Sequence, residues 1–204
     1  MTVTKLDAVT KTKSKVFLDG RFAFVLYKGE LARYGIKEGA QIEEENYSEV
    51  LEKVVIKRAK LRAMHLLEDM DRTESGLRDK LKQGLYPEEA IEAALSYVKS
   101  FGYLDDERYA RQFIESRKAS KSRREIYALL CGRGVAPDKI ELAFEECFES
   151  NSEKDAIRQI IRKKRVIPAE ATEEEMRKLY GYLSRKGFRY DDIRQVIQNN
   201  DENA

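Results

Sequence analysis

The stretch FGYLDDERYARQFIESR, residues 101–117, contains the end of one helix, a short connection and the start of the next helix. Gly102 suits the left-handed backbone position that closes a helix, and Asp105 is placed to cap the helix that follows. Asp106 and Glu107 then put negative charge into the first turn, where the helix dipole favours it. The stretch therefore predicts a rigid joint between two helical units.

An amphipathic helix is predicted after this joint. Its apolar residues recur at the spacing of one buried face: Tyr109, Ala110, Phe113 and Ile114. Arginines at 108, 111 and 117 fall among the solvent-side positions. The adjacent carboxylates at 105 and 106 could hold a divalent ion, but acids at a helix start are far more often cap and dipole residues.

The composition is that of a highly charged globular protein. Of 204 residues, 37% are charged and 42% hydrophobic, and the formal net charge is only +2, so local charge bias matters more than the sum. Apolar runs fall short of the roughly 20 residues that span a membrane, and the N-terminus lacks the apolar core of a signal peptide, so we expect a cytoplasmic protein. Cys131 and Cys147 stand alone, which predicts small buried packing residues on helices.

The sequence pattern of residues 1–50 is typical of a small β-containing module. Asp19-Gly20 separates two apolar, aromatic and β-branched runs, Lys15–Leu18 and Arg21–Tyr27, which predicts a hairpin. Three further elements are expected: a strand in Val3–Thr10, a short helix Glu30–Tyr34 stopped at Gly35, and another strand at Gly39–Ile42. Because so short a module buries little core alone, it should pack on the helices that follow.

The rest of the chain repeats a helical pattern about every 50 residues. Each repeat has two apolar pairs separated by a turn: Leu77, Leu81, Ile91 and Leu95; Ile126, Leu130, Ile140 and Phe144; Leu179, Leu183, Ile193 and Ile197. Another amphipathic helix precedes each set: Ile56–Leu67, Tyr109–Ile114 and Ala156–Ile161. Three helices per repeat are therefore predicted, and Thr172-x-x-Glu175 marks one helix start as a capping box.

The turn inside each repeat contains a glycine, and its position is the same in two of the three repeats. Gly134 and Gly187 lie four residues after the second apolar residue of their repeats. In the first repeat Leu85 holds that position and Gly84 precedes it, so we expect the turn there to be shifted by one residue.

These patterns predict a mainly α fold, in which tandem three-helix repeats form an elongated array behind a small N-terminal β-hairpin-containing module. The expected domains are residues 1–50 for the module, 51–107 for repeat 1, 108–150 for repeat 2 and 151–204 for repeat 3. One patch of cations per repeat would then form a discontinuous stripe suited to a long anionic partner.

The candidate partner- or DNA-binding residues, hereafter the basic stripe, lie on or just after the first helix of each repeat. They are Arg58, Arg62, Arg108, Arg111, Arg117, Lys118, Lys121, Arg123, Arg124, Arg162, Lys163, Lys164 and Arg165. The alternative is that such clusters only solvate helix faces, which is common in a chain so rich in charge. Repeat aromatics could stack on bases, but their helical spacing favours core packing: Tyr86, Tyr103, Tyr109, Phe113, Phe144, Tyr180, Tyr182 and Tyr190.

Catalytic chemistry is not indicated. His65 is the single histidine and is expected to be a partly buried structural residue. The sequence has no nucleophile elbow, no phosphate-cradling glycine loop and no Cys/His spacing typical of a metal site, so we predict a binding protein without cofactor or metal.

Several segments resemble the RecX family, bacterial regulators of the RecA recombinase. GYLDDERYA at 102–110 is similar to the central signature of that family. Two further segments carry the resemblance: Arg72-Thr73-Glu74 with Leu77, Leu81 and Tyr86, and Ser122–Ile126 with Leu130 and Gly134-Val135. The similarity covers roughly residues 56–198; Cys131-Gly132-Arg133 and Leu85 depart from the family pattern, and residues 1–50 look like an extension that some members carry.

The resemblance implies a non-enzymatic modulator that binds the groove of the RecA–DNA filament and limits filament extension, ATP hydrolysis and strand exchange during recombination and DNA repair. It also implies weak contacts with the DNA backbone, and we expect a monomer that does not associate with membranes. Two alternatives stay open: a direct DNA-binding helical protein that uses the basic patches of its repeats, and an enzyme centred on His65.

Overall fold

The computed structural model describes residues 1–149 and 151–201. The chain divides into two compact units, Met1–Asp105 and Asp106–Ala204, which are described separately. Unit 1 contains β1 (Val3–Ala8), β2 (Lys13–Leu18), β3 (Arg21–Tyr27), α1 (Lys28–Arg33), α2 (Glu44–Val50), a π-helical segment (Leu51–Ile56), α3 (Lys57–Asp69), α4 (Glu74–Gln83) and α5 (Glu88–Ser100). Unit 2 contains α6 (Asp106–Arg117), α7 (Arg123–Cys131), α8 (Pro137–Cys147), α9 (Ser152–Lys164), a 3-10 turn (Pro168–Glu170), α10 (Glu173–Arg185) and α11 (Tyr190–Asp201).

The predicted fold class is confirmed: the chain is mainly helical, with tandem three-helix repeats and a small N-terminal sheet. Helices α3–α5, α6–α8 and α9–α11 are the three repeats. The division between the units falls after Asp105, whereas the sequence placed a domain boundary after Glu107, a position inside α6. The domain limits given above, and the elongated arrangement, remain predictions.

The sheet forms around the Asp19-Gly20 turn. Its antiparallel order is β1-β2-β3, and Val16 pairs with Phe24 across the hairpin. Asp19 and Gly20 both have positive φ, 47° and 80°, as the tight turns of two-residue hairpins require. The strand predicted at Gly39–Ile42 was wrong: Gln41 makes one isolated bridge to Thr2, although backbone hydrogen bonds of Gly39, Ala40 and Ile42 join this segment to residues 1–3.

Unit 1 has one continuous core. Buried side chains of the sheet, among them Val16, Phe24 and Leu26, belong to the same apolar cluster as Ala59 of α3 and Ile91 of α5. The expectation that the N-terminal module packs on the first repeat is therefore confirmed. The π-helical segment that joins α2 to α3 contributes Leu51 and Val55 to this core, and it was not predicted from the sequence.

Unit 2 has two cores. The buried side chains of α6–α8 form one cluster, which consists of Ala110, Ile114, Ile126, Leu130, Val135, Ile140, Ala143 and Phe144. Those of α9–α11 form another, which consists of Ala156, Ile157, Ile161, Leu179, Leu183, Phe188, Ile193, Val196 and Ile197. Each repeat in this unit thus buries its own apolar faces, as the recurring pairs predicted.

The turn after the second helix is the same in all three repeats, so the expected one-residue shift in the first was wrong. Leu85, Gly134 and Gly187 all adopt positive φ, 60°, 75° and 89°. In each turn the next N–H donates to the carbonyl oxygen of the second core residue, for example Tyr86 to Leu81 at 3.3 Å. Gly84 has ordinary φ (−74°) and lies under the Tyr86 ring, which would be 3.0 Å from an added Cβ.

The helix end and the helix start predicted within residues 101–117 are both present, and the rigidity of the joint between them stays a prediction. Gly102 has φ 69°, and its N–H donates to the Lys99 carbonyl oxygen at 2.9 Å. Asp105 is the last residue before α6, and Asp106 and Glu107 occupy the first turn. A cap bond from Asp105 stays a prediction.

Several expected core residues lie at the surface. Cys131 is exposed and Cys147 is half-buried, where burial raises the pKa of its thiol. Tyr103, in the connection between α5 and α6, and Tyr190, at the start of α11, are exposed, whereas Phe144 is fully buried. In the part of the chain that the structure describes, no helix combines the length and apolar character needed to span a bilayer.

Replacing Leu85 by glycine should raise the free energy of unfolding of unit 1 by about 1 kcal/mol, because a left-handed conformation costs a residue with a Cβ about 1–2 kcal/mol. The matched change in the opposite direction, Gly134→Leu, should lower the stability of unit 2 by a similar amount. Urea denaturation measures both, and a loss of stability in Leu85→Gly would mean that contacts of the leucine side chain outweigh its backbone strain.

Glu74→Gln should destabilise unit 1 at about pH 7, by up to about 1 kcal/mol. The Lys99 ammonium, 2.6 Å away, and Arg78 lower the pKa of the Glu74 carboxyl. A lowered folded-state pKa stabilises above the unfolded value near 4.3, so the difference from the wild type should vanish as the pH falls through and below that range. Glu174→Gln, which removes an exposed pair with Lys178, is the control and should change little at any pH.

Candidate functional site

The basic stripe is only partly available to a partner, because many of its cations are bound within the chain. In unit 1 the Arg58 guanidinium donates to the Val25 carbonyl oxygen at 3.1 Å, pairs with Glu30 and lies 4.9 Å from the centroid of the Tyr27 ring. Arg58 therefore holds α3 against β3 and α1. Arg62 is exposed.

In repeat 2, four cations of the stripe are paired with carboxylates of the same repeat: Arg111 and Arg123 with residues of α8, and Lys118 and Lys121 with residues nearby in the chain. Arg111 pairs with Glu146 at 3.2 Å, Lys118 with Glu115 at 2.8 Å, Lys121 with Glu125, and Arg123 with Glu141 at 2.5 Å. The Arg123 guanidinium also covers the Phe144 ring at 4.5 Å. Glu115 raises the pKa of Lys118. Arg108 is half-buried on α6 and also has partners.

Other cations of the stripe are exposed and have no carboxylate partner among the described residues 1–149 and 151–201. They are Arg117, Arg124, Arg162, Lys163, Lys164 and Arg165. The last four occupy the C-terminal end of α9, where the helix dipole favours positive charge. The Lys164 ammonium lies 3.8 Å from the centroid of the Tyr182 ring on α10.

A polar contact joins repeats 2 and 3 within unit 2. The Ser122 hydroxyl accepts from the Glu125 N–H at 3.1 Å as the cap of α7, and donates to the Lys186 carbonyl oxygen at 2.6 Å. Gly187 lies directly beneath it, since an added Cβ would be 2.9 Å from the Ser122 hydroxyl oxygen. The Arg123 N–H donates to the Glu153 carboxylate at 3.1 Å.

Two cavities flank this contact. The first, hereafter the cationic groove, has a volume of about 590 Å³, and its walls are Arg124, Glu125, Ala128, Tyr182, Ser184, Arg185, Lys186 and Gly187. The second, about 540 Å³, has mixed charge and an apolar side, with walls of Arg123, Arg124, Tyr127, Glu141, Glu153, Ser184, Gly187, Phe188 and Arg189.

The second cavity contains a carboxylate with a perturbed pKa. Burial raises the pKa of Glu153, and the hydrogen bond from the Arg123 N–H opposes that shift. The carboxyl is therefore easier to protonate than an exposed glutamate. Protonation would remove a desolvated charge from the contact between the repeats.

The structure brings together only part of the basic stripe in unit 2. Arg124 lines the cationic groove. The Lys164 ammonium contacts the ring of Tyr182, which forms part of the wall of the groove. The sequence missed Arg185 and Lys186, which complete the groove. Gly187 could have indicated them in the sequence. It corresponds to Gly134, which marks it as a turn residue, and Arg185 and Lys186 immediately precede it.

Other candidate chemistry is not assembled. Among the described residues, the structure contains no group of three or more His, Cys, Asp or Glu side chains able to hold a metal ion. The prediction of a partly buried His65 was wrong: 71% of its side chain is exposed, and Nδ1 lies 3.1 Å from Glu68 on the next turn of α3.

Family models for the RecX three-helix domains match each repeat. The first domain matches residues 59–97, the second residues 105–143 and the third residues 152–197. The chain belongs to the RecX family. One relative, regulatory protein RecX of Caldanaerobacter subterraneus subsp. tengcongensis, is 36% identical over 97% of this chain and 98% of its own. Regulatory protein RecX of Clostridium botulinum (strain Alaska E43 / Type E3) is 30% identical over 96% of this chain and 94% of its own.

Crystal structures of RecX proteins share the fold. A structure described as regulatory protein RecX superposes with a TM-score of 0.61 at 22% identity and covers 96% of this chain and 98% of its own. RecX from Lactobacillus salivarius has a TM-score of 0.60 at 20% identity and covers 72% of this chain and 96% of its own. The RecX relatives are named regulatory proteins, and their length matches that of this chain.

Gly187→Ala should destabilise unit 2 by more than 2 kcal/mol, because the new Cβ both requires a left-handed alanine and meets the Ser122 hydroxyl. The matched control is Gly35→Ala, which has φ 65° and nothing within 4 Å of the added Cβ. It should cost unit 1 only the conformational part, about 1 kcal/mol. Equal losses in thermal or urea unfolding would show that the close approach at Gly187 carries no energy.

Proposed function

We propose that this RecX protein is a non-enzymatic modulator of the RecA recombinase that binds the groove of the RecA–DNA filament. It limits filament extension, ATP hydrolysis and strand exchange during recombination and DNA repair. The observation that carries the proposal is the full-length match to regulatory proteins of the RecX family, with all three three-helix domains present.

A binding role suits the chemistry of the described residues. The surface offers exposed cations rather than an assembled nucleophile, base or metal site. A protein of this kind acts by occupying a surface that the filament needs for growth or for turnover. Its partners are then RecA protomers and the DNA backbone that they enclose.

Contact with DNA is the weaker part of this function. The formal net charge is only +2, and much of the basic stripe is neutralised by carboxylates within the chain. Because affinity for naked DNA scales with the number of phosphates that cations neutralise, we expect that affinity to be modest and strongly dependent on salt. We expect affinity for the RecA–DNA filament to be higher than affinity for naked DNA, because RecA supplies the rest of the binding surface.

The array of repeats would lie along the filament as an elongated monomer in the cytoplasm. Successive repeats, with the limits 51–107, 108–150 and 151–204, would then touch successive RecA protomers. The N-terminal module of residues 1–50 shares its core with repeat 1 and would stiffen that end of the array.

Substoichiometric amounts of this protein should lower the single-stranded-DNA-stimulated ATPase rate of RecA severalfold, because one bound molecule blocks the extension of a whole filament end. The measurement is steady-state ATP hydrolysis at increasing ratios of this protein to RecA. An unchanged rate at equimolar protein would contradict the proposed function.

A charge-reversal variant tests whether exposed cations of repeats 2 and 3 make the contact. The variant Arg117→Glu/Arg124→Glu/Lys163→Glu should need at least tenfold more protein for the same inhibition. Arg123 is left unchanged because its reversal would place two carboxylates together at Glu141. The control reverses three exposed cations of unit 1, Lys11, Lys28 and Lys37. If both variants melt normally and inhibit equally, the assignment to repeats 2 and 3 is wrong.

A further inference from the structure

We propose that the cationic groove binds the phosphodiester backbone of single-stranded nucleic acid. The proposal rests on the DNA contact in the proposed function and assigns it a site. Arg124 comes from the start of α7, and Arg185 and Lys186 come from the end of α10, so the two repeats supply the cations together.

The charge balance of the groove favours an anion. Arg124 and Arg185 have no ion pair within the described residues 1–149 and 151–201. The single carboxylate of the groove, Glu125, already binds Lys121, and the Lys186 ammonium is 3.5 Å from the same oxygen. Two guanidinium groups and an ammonium therefore face the cavity with little internal compensation. A phosphate would satisfy them through paired charge-assisted hydrogen bonds, which suit the planar fork of arginine.

The backbone around these cations is fixed before any ligand arrives. The Ser122 hydroxyl holds the Lys186 carbonyl oxygen at 2.6 Å, and Gly187 allows the chains to approach that closely. Arg185 lies along its own helix: its Nη1 is 3.4 Å from the position that a Cβ would occupy at Gly181. A longer side chain at 181 would crowd this guanidinium. Binding would thus cost little rearrangement of the main chain.

The cations continue beyond the groove. Tyr182 forms part of its wall, and the Lys164 ammonium covers the ring of that tyrosine at 3.8 Å. Lys164 belongs to the run Arg162–Arg165. All four side chains of this run are exposed, and no acidic residue interrupts it. A ligand with a charge on every unit of its length can use both the groove and this run. Phosphodiesters have that regularity, whereas an acidic peptide has it only where its sequence is uniformly acidic.

A single strand fits this site better than a duplex does. The groove is concave, with a volume of about 590 Å³, within the roughly 300–1,000 Å³ of ligand pockets. A flexible single strand can bend into it, whereas duplex DNA has a persistence length of about 50 nm and would have to be deformed. Single-strand binding by a cationic groove beside an aromatic wall is a common arrangement.

The test uses the full-length protein and a fluorescein-labelled oligothymidylate, without RecA. In fluorescence anisotropy titrations, Arg124→Gln/Arg185→Gln should bind at least tenfold more weakly at low salt. The slope of log K against log salt should flatten by about 1.4, because each lost contact to a single strand contributes about 0.7. The matched control, Arg21→Gln/Arg33→Gln, removes two exposed cations from unit 1 and should bind like the wild type. The charge-preserving Arg124→Lys/Arg185→Lys should keep the wild-type slope.

Several outcomes would overturn the proposal. Equal weakening in the control pair would mean diffuse charge rather than a groove, and unchanged binding in Arg124→Gln/Arg185→Gln would remove the groove as a site. If the same variant lost more affinity for a duplex than for the single strand, the assigned ligand would be wrong. If it bound the oligonucleotide normally but no longer inhibited RecA, the groove would instead take an acidic segment of the partner protein. Failure of the wild type to inhibit RecA bears on the proposed function alone, since the titration contains no RecA.

Discussion

A left-handed residue four positions after the last core residue of the middle helix closes that helix in every repeat. The constraint is physical: the chain must reverse within a few residues and still place the next apolar helix against the same core. The N–H of the following residue satisfies the carbonyl oxygen left open at the helix end. Because this geometry is the same at Leu85, Gly134 and Gly187, the middle and last helices of the repeats share one design, and a leucine is tolerated where glycine is easier.

The third of these turns does more than end a helix. Gly187 brings the turn of repeat 3 under Ser122 of repeat 2, so the serine that caps α7 also binds the backbone of its neighbour. Two apolar cores are thereby joined through a polar contact. Such a contact orients the repeats through directional hydrogen bonds instead of through apolar burial, and it leaves open cavities on both sides. The cationic groove is a direct consequence of that geometry.

Periodicity and turn chemistry predicted most of the fold, since they depend on local interactions. The apolar pairs at Leu77 and Ile126 located the repeats, and the Asp19-Gly20 pair located the hairpin. The π-helical segment at 51–56 was not predicted from the sequence; its Leu51 and Val55 belong to the core that the sheet and the helices share, which is a tertiary arrangement and not a local preference. The shift expected at Leu85 was wrong because Leu85 itself adopts the left-handed conformation, while Gly84 lies against the Tyr86 ring, a contact that is visible only in three dimensions.

The candidate site was harder to predict because charge patterning shows where cations are but not which of them are already paired. Arg58 and Arg123 look alike in the sequence, as basic residues on amphipathic helices, yet both are bound to carboxylates distant in the chain, Glu30 and Glu141. The guanidinium donors of such an arginine already bind a carboxylate. If they bound a ligand instead, that carboxylate would lose its partner. The cations proposed to bind a ligand, Arg124 and Arg185, lie next to turns or helix ends and form no ion pair with the described carboxylates. In unit 2 the contact between Ser122 and Gly187 brings Arg124, Arg185 and Lys186 together, so the proposed binding surface depends on the contact between repeats 2 and 3 and not on the count of basic residues.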